Sequence, residues 1–165
     1  MAMSLNFGKA EVCQWIRENF PMPSSILDVG AGHEATWRRW LTDYPNMDAV
    51  EAFTPSADAI EPIYRQVFNE SITEFEPRYY DLIIFGDVIE HLTVEEAQKV
   101  LNEAQCTDMI VAVPFLYPQG ILYGNPYEIH KQPDLTPEIF AERYPGFEVL
   151  FDTGQNYCYY HRRKQ

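Results

Sequence analysis

The chain has 165 residues, enough for one domain of ordinary size with a real core. Hydrophobic residues make up 46% and charged residues 22%, which excludes an intrinsically disordered chain. Twelve basic and 25 acidic residues leave a net charge of −13, which argues against a broad basic surface for nucleic acid or anionic membrane.

Met1-Ala2-Met3-Ser4 has neither a basic nor an apolar signal region, so no signal peptide is expected. Leu5, Val12, Ile16 and Phe20 recur at helical spacing and predict an amphipathic helix over 5–19, stopped by Pro21 and Pro23. Residues 25–30 predict a short buried strand running into glycines. Trp37, Trp40 and Leu41 predict a helix near 35–43. A strand over 47–53 and a helix over 56–64 follow, with Pro55 near the start of the helix. Residues 64–68 predict a weak strand. Tyr80 to Phe85 predict the strongest one, apolar on both faces like an inner parallel strand.

Thr93-Val94-Glu95-Glu96 is a capping box, predicting a helix over 94–104. Met109 to Val113 predict a buried strand closed by Pro114. Residues 114–135 are irregular and rich in Pro, Tyr and Gly, a candidate lid with Tyr117, Tyr123 and Tyr127. Thr136-Pro137-Glu138 opens a short helix to about 143. Strands over 147–151 and 157–161 close the chain; the short turn between them requires antiparallel pairing. Strand–helix alternation predicts one α/β domain over 1–165 with a mainly parallel sheet.

Cys13, Cys106 and Cys158 are odd in number and lack CxxC spacing, so buried free thiols are expected. No apolar run approaches the roughly 20 residues that span a bilayer, and a soluble cytoplasmic protein is expected. His161-Arg162-Arg163-Lys164 forms one small basic patch.

Asp28-Val29-Gly30-Ala31-Gly32 links a strand to a helix, where glycines permit a tight turn and close approach of a ligand. Glu51 ends the next strand, 19 residues after Gly32. A carboxylate there can accept both hydrogen bonds of a ribose diol. Asp28, two residues before Gly30, opposes a pyrophosphate and suits a cationic ligand, and Glu34 points the same way.

Ile26 to Gly32 resembles motif I of class I S-adenosylmethionine-dependent methyltransferases. Asp87-Val88-Ile89-Glu90-His91-Leu92 is similar to the segment after the fourth strand in many of them. The resemblance implies a Rossmann-like three-layer α/β sandwich, with a mostly parallel seven-stranded sheet and a C-terminal antiparallel hairpin. It also implies S-adenosylmethionine as cofactor and methyl transfer to an acceptor. Carried onto this chain, Asp28, Gly30 and Gly32 line the methionine end. Glu51 binds the ribose, and Ala52 and Phe53 lie beside the adenine. Glu70, Ser71 and Ile72 also meet the adenine. Gly86 and Asp87 pass under the reacting centre. Glu34 stands where motif I has its third glycine.

Asp87, Glu90 and His91 share one face if the backbone turns helically. With His130 in the irregular segment they make the candidate chemical group: His91, Glu90 and His130 as catalytic residues. The set is similar to the metal-binding Glu-x-x-Glu-His plus His of small-RNA 2′-O-methyltransferases, and to a Glu-x-x-Glu-His of some quinone-precursor O-methyltransferases. Asp87 replaces the first Glu, and no metal ligand is assigned. The expected acceptor is a small-molecule or sugar hydroxyl, with a metal-dependent RNA 2′-O-methyltransferase and a non-catalytic nucleotide-binding partner protein as alternatives.

Overall fold

The computed structural model describes residues 6–164. Leu5, at the start of the first expected helix, lies outside them. That helix, α1, runs Lys9–Asn19 and begins after Gly8, whose φ of 76° is in the left-handed region. Its buried residues are Lys9, Val12, Cys13 and Ile16, the i, i+3, i+4, i+7 stripe of an amphipathic helix.

The remaining elements follow in the expected order: β1 Ile26–Val29, α2 Thr36–Trp40, β2 Met47–Val50, α3 Thr54–Ile60, β3 Gln66–Phe68 and β4 Tyr80–Gly86. After these come α4 Val94–Glu103, β5 Cys106–Pro114, α5 Pro137–Arg143, β6 Glu148–Asp152 and β7 Tyr157–Arg163. Single 3₁₀ turns cover Ile89–His91 and Pro126–Glu128. The Thr93 hydroxyl accepts from Glu96 N at 3.1 Å and the Glu96 carboxylate accepts from Thr93 N at 2.8 Å, the reciprocal capping expected at α4.

Several boundaries differ from expectation. β2 stops at Val50, not 53, because the Glu51 carboxylate accepts from the Phe53 amide at 2.9 Å and curls the chain into α3. That helix therefore starts at Thr54, with Pro55 in its first turn, and ends at Ile60 rather than 64. α2 ends at Trp40, where Arg38 Nη1 takes up the Leu41 carbonyl at 2.9 Å. β5 begins at Cys106, paired with Tyr80.

The sheet has seven strands in the order β3-β2-β1-β4-β5-β7-β6. The first four pairings are parallel, whereas β7 pairs antiparallel with both β5 and β6. β4 and β5 alternate their side chains between two cores. Ile83, Phe85, Met109 and Val111 meet α4 and α5 on one face; Leu82, Ile84, Ile110 and Ala112 meet α1 and α2 on the other. The result is a Rossmann-like three-layer α/β sandwich with an antiparallel C-terminal hairpin. Cys13, Cys106 and Cys158 are buried and free. No helix of the described residues is long and apolar enough to cross a membrane.

The direction in which successive strands are added to the sheet reverses between β1 and β4, which themselves run parallel. A crevice opens there at the carboxyl ends of the parallel strands, the usual ligand position in such sheets.

Candidate active site

One cavity of about 720 Å³ fills that crevice, within the roughly 300–1,000 Å³ of small-molecule sites. Gly30, Gly32, Glu51, Ala52, Glu70, Ser71, Ile72, Gly86, Asp87, Glu90, His91 and His130 all line it. Residues expected from five separate stretches of sequence thus converge on a single space.

Two expected residues do not line it. Phe53 gives its amide to Glu51 but is not part of the wall. Asp28 is fully buried outside the wall, where its Oδ2 accepts from Tyr64 OH at 2.6 Å. Burial pushes the Asp28 carboxyl up to about 7, against the pull of the Tyr64 hydrogen bond and the Lys9 charge. Glu34 is also absent from the wall; its carbonyl accepts from Arg39 Nε at 2.6 Å.

The glycine loop needs its glycines. Gly30 has φ of 68°, and a Cβ there would meet Val88 Cγ2 at 2.5 Å. Gly86 lies so close to Trp37 Nε1 that a Cβ would overlap it. Glu51 is 7% exposed, and its two oxygens accept from Gly32 N at 2.8 Å and Phe53 N at 2.9 Å. Burial raises its pKa, while the two backbone amides hold it down. One carboxylate therefore fixes the loop after β1 to the loop after β2 and still faces the cavity.

Asp87 has φ of 56°, a strained left-handed conformation for a side chain other than glycine. The expected helical face of Asp87, Glu90 and His91 does not form. Only Ile89–His91 turns, as 3₁₀. The groups that gather are Glu90, His91 and His130, with one possible ligand atom each all within 4.8 Å of one another. Asp87 borders the cavity without joining them.

Glu90 is 1% exposed, and neither carboxylate oxygen has a hydrogen-bond partner. Burial first, then the Asp87 charge, raises its pKa well above the ordinary value. A buried carboxylate with no partner costs several kcal/mol unless it is protonated or meets a cation. His91 Nδ1 is likewise buried and unpartnered. Burial and the neighbouring His130 push His91 down to about 4, so its ring is neutral at pH 7.

The two imidazoles stand edge to face, centroids 4.5 Å apart. His130 Nδ1 lies 2.5 Å from the Tyr117 carbonyl, which can only accept. The proton is therefore on Nδ1 and the lone pair on Nε2. Burial lowers the His130 pKa too.

Three features lay outside the sequence reading. Lys9 is fully buried on α1, with Nζ 4.7 Å from the Trp37 ring centroid, and its charge attracts both Asp87 and Asp28. Trp37 carries the packing from Lys9 to Gly86. Glu128 is 6% exposed and lines the cavity, with its oxygens accepting from Asn125 Nδ2 and Gln119 Nε2, each at 3.1 Å. No motif or periodicity in the sequence marks it. His161, in the small basic patch at 161–164, is bonded to Asp108 at 2.7 Å.

No protein-family model matches the chain, and no curated protein matches it by sequence. Solved structures do match. Magnesium protoporphyrin IX methyltransferase from Synechocystis PCC 6803, solved with bound SAM, aligns at TM-score 0.67 and 11% identity over 95% of this chain and 78% of that one. The sugar N-methyltransferase KedS8 from Streptoalloteichus sp. ATCC 53650 aligns at 0.67 and 14%, over 96% and 88%. The methyltransferase domain of a bacterial Hen1 aligns at 0.66 and 18%, over 94% and 95%. The chain has the fold of class I S-adenosylmethionine-dependent methyltransferases.

Proposed function

We propose that the protein transfers a methyl group from S-adenosylmethionine to a hydroxyl of a small molecule or sugar. The observation that carries this is the single cavity joining the Gly30–Gly32 loop and Glu51 to the Glu90–His91–His130 cluster. The residues fit the ligand. Two left-handed glycines leave room for a chain against the backbone, and a buried carboxylate faces the place of a diol. The acidic wall suits a sulfonium.

Bound there, S-adenosylmethionine supplies an electrophilic methyl group. The protein does the rest by position. Gly30 and Gly32 admit the methionine end; Glu51 takes the ribose hydroxyls; Glu70, Ser71 and Ile72 border the adenine. His91 contacts the acceptor hydroxyl, and His130 Nε2, the free lone pair, receives its proton as the oxygen forms its new bond to carbon and the S–CH₃ electron pair returns to sulfur. Both rings are neutral at pH 7, which leaves them able to accept. Holding oxygen, carbon and sulfur in line is the larger share of such catalysis.

Calorimetry with S-adenosylmethionine tests the cofactor. Micromolar binding is expected, and failure to bind it or its demethylated product would sink the proposal. His130→Ala should lower kcat by about 10²–10³-fold with that affinity unchanged.

A second reading is favoured by the unpartnered oxygens of Glu90. Glu90, His91 and His130 would together hold a divalent cation, which would polarise the acceptor oxygen as a Lewis acid. That chemistry also serves a ribose 2′-hydroxyl of RNA, against which the charge of −13 weighs. Elemental analysis and activity after chelation decide. A protein without metal that is indifferent to chelator removes this reading, and a methylated RNA oligonucleotide would reverse the order of acceptors.

A further inference from the structure

The cavity has more carboxylates than the transfer of a methyl group needs. Glu51 stands at the end of β2, Asp87 and Glu90 after β4, and Glu128 in the irregular segment between β5 and α5; all four line one space. Lys131 is the one Lys or Arg among the described lining residues, and it is already bridged to Glu96 at 3.0 Å.

Glu128 is placed with care. Asn125 Oδ1 accepts from Tyr127 N at 3.0 Å, which orients the amide so that Nδ2 donates to Glu128 Oε1. Gln119 Nε2 donates to Oε2 and also to the Glu128 carbonyl at 2.9 Å. Two neutral amides thus fix the carboxylate without neutralising it. Glu51, on the ribose side, repels Glu128, and Glu128 in turn repels Glu90, on the reacting side. It shares the cavity wall with Glu51 at the ribose end and with Glu90 in the chemical group. The orphaned oxygens of buried Glu90 are a separate sign that this space expects a positive charge.

We propose that Glu128 is the specificity residue by which the 114–135 segment recognises the sulfonium charge of S-adenosylmethionine, so that the site distinguishes it from the neutral thioether left after transfer. The inference rests on the proposed function above. When the methyl group leaves, the sulfur loses its charge and Glu128 loses its partner. The grip of the segment then weakens at the moment when product must depart.

The test compares three ligands by calorimetry on the full chain. S-adenosylmethionine carries a sulfonium, sinefungin carries an ammonium in the corresponding place, and S-adenosylhomocysteine carries neither. Glu128→Gln should weaken the first two by about tenfold and leave the third within about twofold, the size of one charge-assisted contact. Glu128→Asp, which keeps the charge, should restore part of the loss. Equal weakening of all three would make Glu128 a brace for the segment and overturn the proposal; so would no change. Should Glu128→Gln fail to fold, salt decides with the wild type. The affinity ratio of sulfonium to thioether must fall from 50 to 500 mM salt (about a threefold drop in Debye length), and a ratio indifferent to salt refutes the idea. A wild type that binds none of the three ligands would instead refute the methyltransferase reading itself.

Discussion

Replacing Glu51 by alanine separates two jobs of one carboxylate. The side chain holds the Gly32 and Phe53 amides at 2.8 and 2.9 Å and faces the cavity. Removing it leaves two buried amides unpaired, at about 1–3 kcal/mol each. For a chain of this size about 2–4 °C of Tm is lost per kcal/mol, so the ligand-free variant should melt about 4–24 °C lower. A carboxylate binding a ribose diol makes two charge-assisted hydrogen bonds of about 1.5–3 kcal/mol each. Its lone pairs are shared with the amides, so the lower value for the pair, about 3 kcal/mol, is the better expectation. That is a loss of roughly 100-fold in affinity.

The ribose is common to S-adenosylmethionine and S-adenosylhomocysteine, so calorimetry should show the same loss for both. This contrasts with Glu128, where only the charged ligand should suffer. Glu51→Gln keeps one acceptor oxygen and should show a smaller fall in Tm. An affinity within threefold of wild type would refute the ribose assignment. A loss confined to S-adenosylmethionine would show that Glu51 meets the sulfonium instead.

Gly86→Ala drives a methyl group into Trp37 Nε1, within the packing that Lys9 stacks upon. Overpacking of this kind costs about 1–3 kcal/mol, and calorimetric melting should show it together with weaker cofactor binding. Thr93→Ala removes the capping box of α4 and should cost about 1 kcal/mol, seen as a small fall in the denaturation midpoint. Thr93 itself is not part of the cavity wall, so the affinity for S-adenosylmethionine should change by no more than about twofold. Asp28 has a folded pKa near 7, above its ordinary 3.8, so its contribution to stability is full below about pH 4 and is lost as pH rises through 7. Denaturation at pH 4 to 8 should show the wild type losing about 1.4 kcal/mol per pH unit relative to Asp28→Asn over most of that range, and a difference independent of pH would refute the burial argument.

Elements governed by local rules were readable from the sequence. The α4 capping box, the two-sided apolar run of β4 and the short turn before β7 each dictate their structure within a few residues, and all three form as expected. Boundaries failed where a side chain acted on the backbone. Glu51 reads as the last residue of a strand until its carboxylate is seen turning back onto Phe53 N, which ends β2 and starts α3. The shared face of Asp87, Glu90 and His91 failed for a similar reason. It assumed helical dihedrals, but Asp87 sits at φ of 56° and leaves the cluster to His130, which lies 39 residues beyond His91 in sequence.

Charge shows most sharply what sequence can and cannot supply. Motif spacing identifies Glu51 because a strand end fixes its place, and the structure puts it on the cavity wall. Asp28 carries the same kind of signal yet faces Tyr64 and the core; a position at the foot of the glycine loop does not say which side of β1 the side chain takes. Glu128 carries no signal, since its place depends on Asn125 and Gln119 in a segment without periodicity. A net charge of −13 could have been spread evenly over a solvated surface. Instead seven Asp and Glu residues line one cavity, and one of them, Glu90, is buried with neither oxygen satisfied. Self-repulsion of that kind opposes the compact state, and it persists only where something offsets it. A cationic ligand or a bound metal ion would offset it at the site itself, which is why both readings of the chemical group turn on the same three side chains.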